Sequence, residues 1–222
     1  MSETTHILFD LDGTLTDSKE GITKSVRYSL NHYGIEVKDL DGLCPFIGPP
    51  LRESYKRYYG FSDEQAQECV LIYRQYFDAQ GWRENRVYEG IREMLQTLKD
   101  SGRHLLVATS KPEVFARRIL EHFDLTRYFE WIGGADLEGT RSEKADVIGY
   151  VLEQCGLGTG WEGASRGIMV GDREHDVLGA RRWGMESVGV LYGYGGREEL
   201  KACKADYTAE TVEDLTKLLL SL

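Results

Sequence analysis

The chain has no cysteine pair at CxxC spacing, no apolar run near the roughly 18 residues of a membrane span, and no basic-then-apolar stretch at its start. Its four cysteines, Cys44, Cys69, Cys155 and Cys203, lie far apart and none stands at zinc spacing from a histidine. A zinc ribbon and a disulfide framework are thereby excluded, and packed, reduced thiols are expected. Positive charge is also scarce: 27 Lys and Arg face 37 Asp and Glu, for a formal net charge of −10. That balance argues against a nucleic-acid polymer as partner, since affinity there needs a basic surface. It also repels anions at long range, so an anionic ester binds only where a metal or lysine reverses the local field. The expectation is a cytoplasmic protein without a membrane partner.

What is present is a soluble-type composition, 41% hydrophobic over 222 residues, enough for one large domain or a core with a smaller insertion. Short apolar strands alternate with amphipathic helices. Strands are predicted at 6–10, 104–109, 129–133, 167–171 and 187–191. Helical stripes fall between the later four: Ile91, Met94, Leu95 and Leu98; Val114, Phe115, Ile119 and Phe123; Val147, Ile148, Val151 and Leu152; and Val177 and Leu178 leading to Trp183. Gly102, Gly156 and Gly184 stand where helices should end. Repeated βα units imply a parallel sheet covered on both faces, with ligands beyond the carboxyl ends of its strands.

One connection breaks this rhythm. About ninety residues separate the first two strands, far more than a βα link needs. Ile22, Val26, Leu30 and Tyr33 form a helical stripe ending at Gly34, and Ser62 with Gln65 reads as a capping box before Val70, Tyr73 and Phe77. The expected organisation is a core of residues 1–16 and 87–222 with a helical insertion at 17–86. The insertion serves as a lid or as a structural subdomain.

The first strand runs into Asp10-Leu11-Asp12-Gly13-Thr14. Residues i and i+2 of a strand share a face, so two carboxylates aim at one point. Carboxylates in a buried place are costly unless they bind a cation or share a proton. The pattern suits a Mg²⁺ site in which Asp10 attacks phosphorus and Asp12 moves the proton, while Gly13 lets the backbone turn beneath a ligand beside Thr14. Thr109-Ser110-Lys111-Pro112 closes the second strand and is expected to start a helix with Pro112 in its first turn. Its hydroxyls and free N–H groups offer a phosphate site, although for this stretch taken alone simple capping is the stronger reading.

Lys144 opens a helix, where a cation opposes the helix dipole by about 0.3–1 kcal/mol if exposed. The placement makes sense if Lys144 faces the strand ends and pairs with Asp10 and a phosphate. Gly171-Asp172-Arg173-Glu174-His175-Asp176 follows the fourth strand. Asp172 stands within reach of the same metal, and Asp176, one turn on, is placed to hold a metal-bound water. The Gly158, Gly160 and Gly163 spacing imitates a dinucleotide fingerprint but follows a helix and precedes a strand, the reverse order. Of the five histidines only His175 falls near these motifs.

The ordered set Asp10-x-Asp12-Gly13-Thr14, Thr109, Lys144 and Gly171-Asp172-x3-Asp176 resembles the haloacid dehalogenase superfamily. The likeness is to its phosphoglycolate phosphatase-like and bacterial 5′-nucleotidase-like members. It implies an α/β fold, a Rossmann-like three-layer core with a parallel sheet and a helical cap inserted after the first strand. It further implies an aspartyl-phosphate on Asp10, acid–base work by Asp12, and Mg²⁺ held by Asp10, the Asp12 carbonyl and Asp172. Asp176 stands behind the metal, and Thr109 and Lys144 hold the phosphoryl oxygens. Ser110, Lys111 and, from the insertion, Arg52 are candidate substrate ligands beside Gly13 and Thr14. A carboxylate at position 12 favours phosphate-ester chemistry over dehalogenation. The chain departs from many relatives in having Ala145 rather than proline after Lys144. The expected function is Mg²⁺-dependent hydrolysis of a small phosphorylated metabolite, phosphoglycolate or a 5′-mononucleotide. A sugar phosphomutase and a non-catalytic phospholigand-binding protein are the alternatives.

Overall fold

In a computed structural model of the chain, residues 5–157 and 167–222 are described; the glycine spacing at 158–163 lies outside them. Strand β1 (His6–Phe9) is apolar through Ile7, Leu8 and Phe9, all fully buried, as a strand covered on both faces must be. The chain then turns through residues 10–15 into the short β2 (Thr16–Asp17), which pairs with β3 (Arg86–Val87).

Residues Asp17–Arg86 form one compact unit. Helix α1 (Lys19–His32) buries Ile22, Val26 and Leu30; Tyr33 lies one residue past its end, before Gly34 at φ +70°. Helix α2 (Leu51–Tyr59) follows Pro50, and α3 (Asp63–Ala79) opens on a formed capping box, with Gln65 N donating to Ser62 Oγ and Ser62 N donating to Gln65 Oε1. Val70, Tyr73 and Phe77 are buried along α3.

The second unit comprises residues 1–16 and 87–222. It continues with α4 (Ile91–Asp100), β4 (His104–Pro112), α5 (Glu113–His122), β5 (Trp131–Ala135), α6 (Lys144–Gln154), β6 (Gly167–Gly171), α7 (Glu174–Arg182), β7 (Glu186–Val190), α8 (Arg197–Ala202), β8 (Tyr207–Ala209) and α9 (Val212–Ser221). Six strands form a parallel sheet in the order β5-β4-β1-β6-β7-β8. Its core joins Leu8, Leu106 and Met169 of adjacent strands to Val147, Ile148 and Val151 of α6. This order puts the ends of β1, β4 and β6 side by side, where the sheet winds in both directions from β1.

Several expectations need correction. The second core strand does not stop at residue 109: it pairs through Pro112, with a shift of register between Thr109 and Pro112. Pro112 has extended backbone and precedes α5 rather than occupying its first turn. Val114 and Leu178, read as apolar-face residues, are exposed, at 55% and 43%. Ala116 and Ala180 take the buried positions on those helices, small residues that an apolar count undervalues. Strands β2, β3 and β8 and helices α8 and α9 lie outside the predicted elements. Among the described residues no helix is long and apolar enough to cross a membrane.

Candidate active site

The loop after β1 is built by its own backbone. Leu11 O accepts from Thr14, Leu15 and Thr16 N–H groups, and Gly13, at φ +83°, closes the turn by donating to Thr16 O. Leu11 and Leu15 are fully buried beneath it. Asp10 is anchored by its N–H to Val170 O at 2.9 Å, and Asp10 and Asp12 are both buried.

Lys144, the first residue of α6, reaches this loop. Its Nζ lies 2.9 Å from Asp10 Oδ1 and 2.7 Å from Asp176 Oδ1, and donates to Ala108 O at 3.1 Å. Burial acts to lower the Lys144 ammonium, but the Asp10 and Asp176 carboxylates outweigh it and hold it above its ordinary range. A lysine that opposes the helix dipole is therefore retained by two buried anions. Gly179 of α7 leaves its path open: a Cβ there would stand 2.8 Å from Lys144 Cγ.

Asp172 follows β6 directly and is fully buried. Burial first, then the Asp176 and Asp10 charges, push its carboxyl well above the usual carboxylate range, against a hydrogen bond from Tyr194 N. Asp176 sits at the third position of α7, where its Oδ2 accepts from Arg173 N at 3.1 Å. Burial raises it as well, with Lys144 pulling the other way.

Asp10, Asp172 and Asp176 each offer an oxygen, all within 4.8 Å of one another. Asp172 Oδ1 is buried without a hydrogen-bond partner. A set of hard carboxylate oxygens with a buried, unpaired ligand atom fits Mg²⁺, which favours such donors and keeps waters for its remaining positions.

The remaining predicted residues divide. Thr109 is buried at the site's edge and its Oγ1 accepts from Lys111 N at 3.2 Å. Thr14 is buried with an unpaired hydroxyl, and Ser110 is half-buried in β4. Lys111, expected to meet substrate, is buried with its Nζ 2.7 Å from Asp12 Oδ2. Arg52 belongs to α2 in the helical unit, where it pairs with Asp63 at 3.2 Å. His175 is half-buried in α7. Sequence reasoning missed the Lys111–Asp12 pair and the contact that the turn after β7 makes with Asp172, Tyr194 N donating to its Oδ2 at 2.7 Å. The repeated glycine at 193 and 195 was the available signal.

A family model described as haloacid dehalogenase-like hydrolase matches residues 7–190. A protein of Pseudomonas aeruginosa named 5′-nucleotidase is 46% identical over 214 residues, covering 96% of this chain and 95% of that one. A Mycobacterium tuberculosis protein named tyrosine-protein kinase PtkA is 40% identical over 215 residues, 96% of this chain and 72% of its own. A phosphoglycolate phosphatase of Agrobacterium fabrum is 33% identical over 192 residues, 84% and 80% of the two chains. The crystal structure of a predicted phosphatase from Clostridium acetobutylicum superposes with a TM-score of 0.95 at 51% identity, covering both chains completely.

Proposed function

The chain belongs to the haloacid dehalogenase-like hydrolases and is a phosphatase of that family, and from this premise we propose that it hydrolyses small phosphomonoesters through an aspartyl-phosphate on Asp10, with Mg²⁺ bound. The observation that carries the reading is the buried Asp10, held 2.9 Å from the Lys144 ammonium and two residues from a second buried carboxylate, Asp12.

Asp10 Oδ attacks phosphorus and the bond to the leaving oxygen breaks, that oxygen taking a proton from Asp12. Asp12 then takes a proton from water, the water oxygen joins phosphorus, and the bond to Asp10 breaks to release inorganic phosphate. Lys144 offsets the anionic charge gathering at Asp10, and Thr109 donates to a phosphoryl oxygen. Asp10, the Asp12 carbonyl and Asp172 would hold Mg²⁺, with Asp176 behind them; bound there it supplies positive charge that lets an anionic nucleophile meet an anionic ester. The unit Asp17–Arg86 corresponds to the helical cap that the resemblance implies, and Arg52 within it is retained as a candidate substrate ligand.

Among substrates, 5′-mononucleotides stand ahead of phosphoglycolate, because the 46% likeness spans nearly all of both chains. Four free thiols accord with a reducing, cytoplasmic setting. Phosphate release from mononucleotides, phosphoglycolate and sugar phosphates, with Mg²⁺ and with EDTA, tests the assignment. Turnover should require the metal and vanish in Asp10→Asn; turnover retained in that variant would sink the mechanism. The likeness to a protein named as a tyrosine kinase supports one second reading, transfer from Asp10 to a hydroxyl other than water. Phosphate appearing on an added hydroxyl acceptor, with none released free, would select it.

A further inference from the structure

Asp172 is enclosed by three glycines from two separate loops. A Cβ on Gly13 would stand 2.3 Å from Asp172 Oδ2, one on Gly193 2.4 Å from Asp172 Cβ and from Gly13 O, and one on Gly195 1.7 Å from Asp172 O. Such distances are far inside van der Waals contact, so no side chain fits at these places. Gly193 and Gly195 do not have positive φ. Their demand for glycine is therefore close approach to Asp172, not backbone conformation.

The same turn supplies the donors. Tyr194 N donates to Asp172 Oδ2 at 2.7 Å and Gly195 N approaches the same oxygen at 3.4 Å. Asp172 Oδ1 is left buried and without a hydrogen bond. The turn is itself pinned to the 10–16 loop, since Tyr192 Oη donates to Thr14 O at 3.1 Å, and the Tyr192 ring packs edge-on against Tyr88.

We propose that the 192–195 turn is a positioning element for the metal ligand: its backbone fixes Asp172 Oδ2 so that Oδ1 is presented toward Asp10 and Asp176. The proposal rests on the Mg²⁺ site of the preceding reading. Asp172 extends from a short loop between β6 and α7, and a carboxylate turned by one rotamer would withdraw its free oxygen from the cluster. Outer partners that orient a ligand typically contribute ten- to a hundredfold in metal affinity. Gly13 ties this function to the nucleophile loop, because the Asp172 carboxylate is packed against the turn that follows Asp10.

The test is Mg²⁺ affinity by titration calorimetry on the full chain, together with metal-free thermal unfolding, for wild type, Gly193→Ala, Tyr192→Phe and Asp172→Asn. Binding should be lost in Asp172→Asn and weakened about ten- to a hundredfold in Gly193→Ala. Tyr192→Phe adds no atom, so it reads the pinning without a clash, and its affinity should fall toward the lower end of that range. Should Gly193→Ala fail to fold, Tyr192→Phe decides alone. Folded variants with wild-type Mg²⁺ affinity would overturn the positioning role while leaving the phosphatase reading untouched. Wild-type protein that binds no Mg²⁺ would overturn both the role and the metal site beneath it.

Discussion

At the scale of single residues, the site turns on which carboxylate each lysine holds. Lys144 spans Asp10 and Asp176, whereas Lys111 holds Asp12. A lysine committed to a buried carboxylate acts through that carboxylate, so removing it should alter turnover more than binding. Lys111→Met is expected to lower kcat about tenfold or more with KM nearly unchanged, and Lys111→Arg to recover part of the loss. A raised KM at constant kcat would instead return Lys111 to the substrate. Destabilisation by about 3–5 kcal/mol is also expected in Lys111→Met, because Asp12 is left buried without its partner. Thermal unfolding keeps the two effects apart. Asp10, Asp12, Lys144 and Asp172 were legible in the sequence, because their residue types fall at strand and helix ends where chemistry-bearing groups collect. The partner of Lys111 was not legible. From spacing alone, a lysine two residues past Thr109 faces a phosphate as readily as a carboxylate, and the choice is made across 99 residues of chain.

At the scale of elements, the parallel register of β1 and β4 places His6 opposite His104. Their rings stack at 4.7 Å, His6 Nδ1 lies 2.9 Å from Thr5 Oγ1, and Glu130 meets His104 Nδ1 at 2.7 Å. Burial first, then the charge of His104, lower the His6 imidazole, with Glu130 opposing. The unfolded chain thus binds a proton near pH 6.5 that the folded chain accepts only at lower pH. Stability from this pair is present above that value and falls as pH drops through it. Melting between pH 7.5 and 5.5 should show a smaller fall in His6→Gln than in wild type, solvent keeping the effect modest. An identical slope in the variant would remove His6 as the source. The parallel, helix-covered sheet was legible from the alternation of apolar runs and helical stripes, whereas its strand order is a through-space fact. The ends of elements were less legible. Strand β4 runs past Thr109 because its neighbour β5 still pairs with Pro112, a through-space fact that no local signal carries. Strand β8, with three residues, is too short to show a period.

At the scale of the whole molecule, a chain with net charge −10 buries much of its cost in one place. Asp10, Asp12 and Asp176 are paired with Lys111 and Lys144, and Asp172 is buried beside Asp10 and Asp176, leaving two carboxylates in excess. A divalent cation would balance that excess, and without one the folded state carries the repulsion. Stability and function therefore oppose each other at Asp172. Its Oδ2 already accepts from Tyr194 N, so an asparagine can keep that bond through its amide oxygen while its NH₂ faces Asp10 and Asp176 as a donor. Asp172→Asn should melt higher than wild type in EDTA, by ~2–4 °C for each kcal/mol of relieved repulsion. In Mg²⁺ the order should reverse or close, since only wild type gains from binding the ion. Unfolding followed in EDTA and in millimolar Mg²⁺ reads both halves. A metal-free Asp172→Asn less stable than wild type would show that the excess charge is already relieved within the folded chain. The opposite result would show that the protein gives up stability at this position to keep a ligand for the ion.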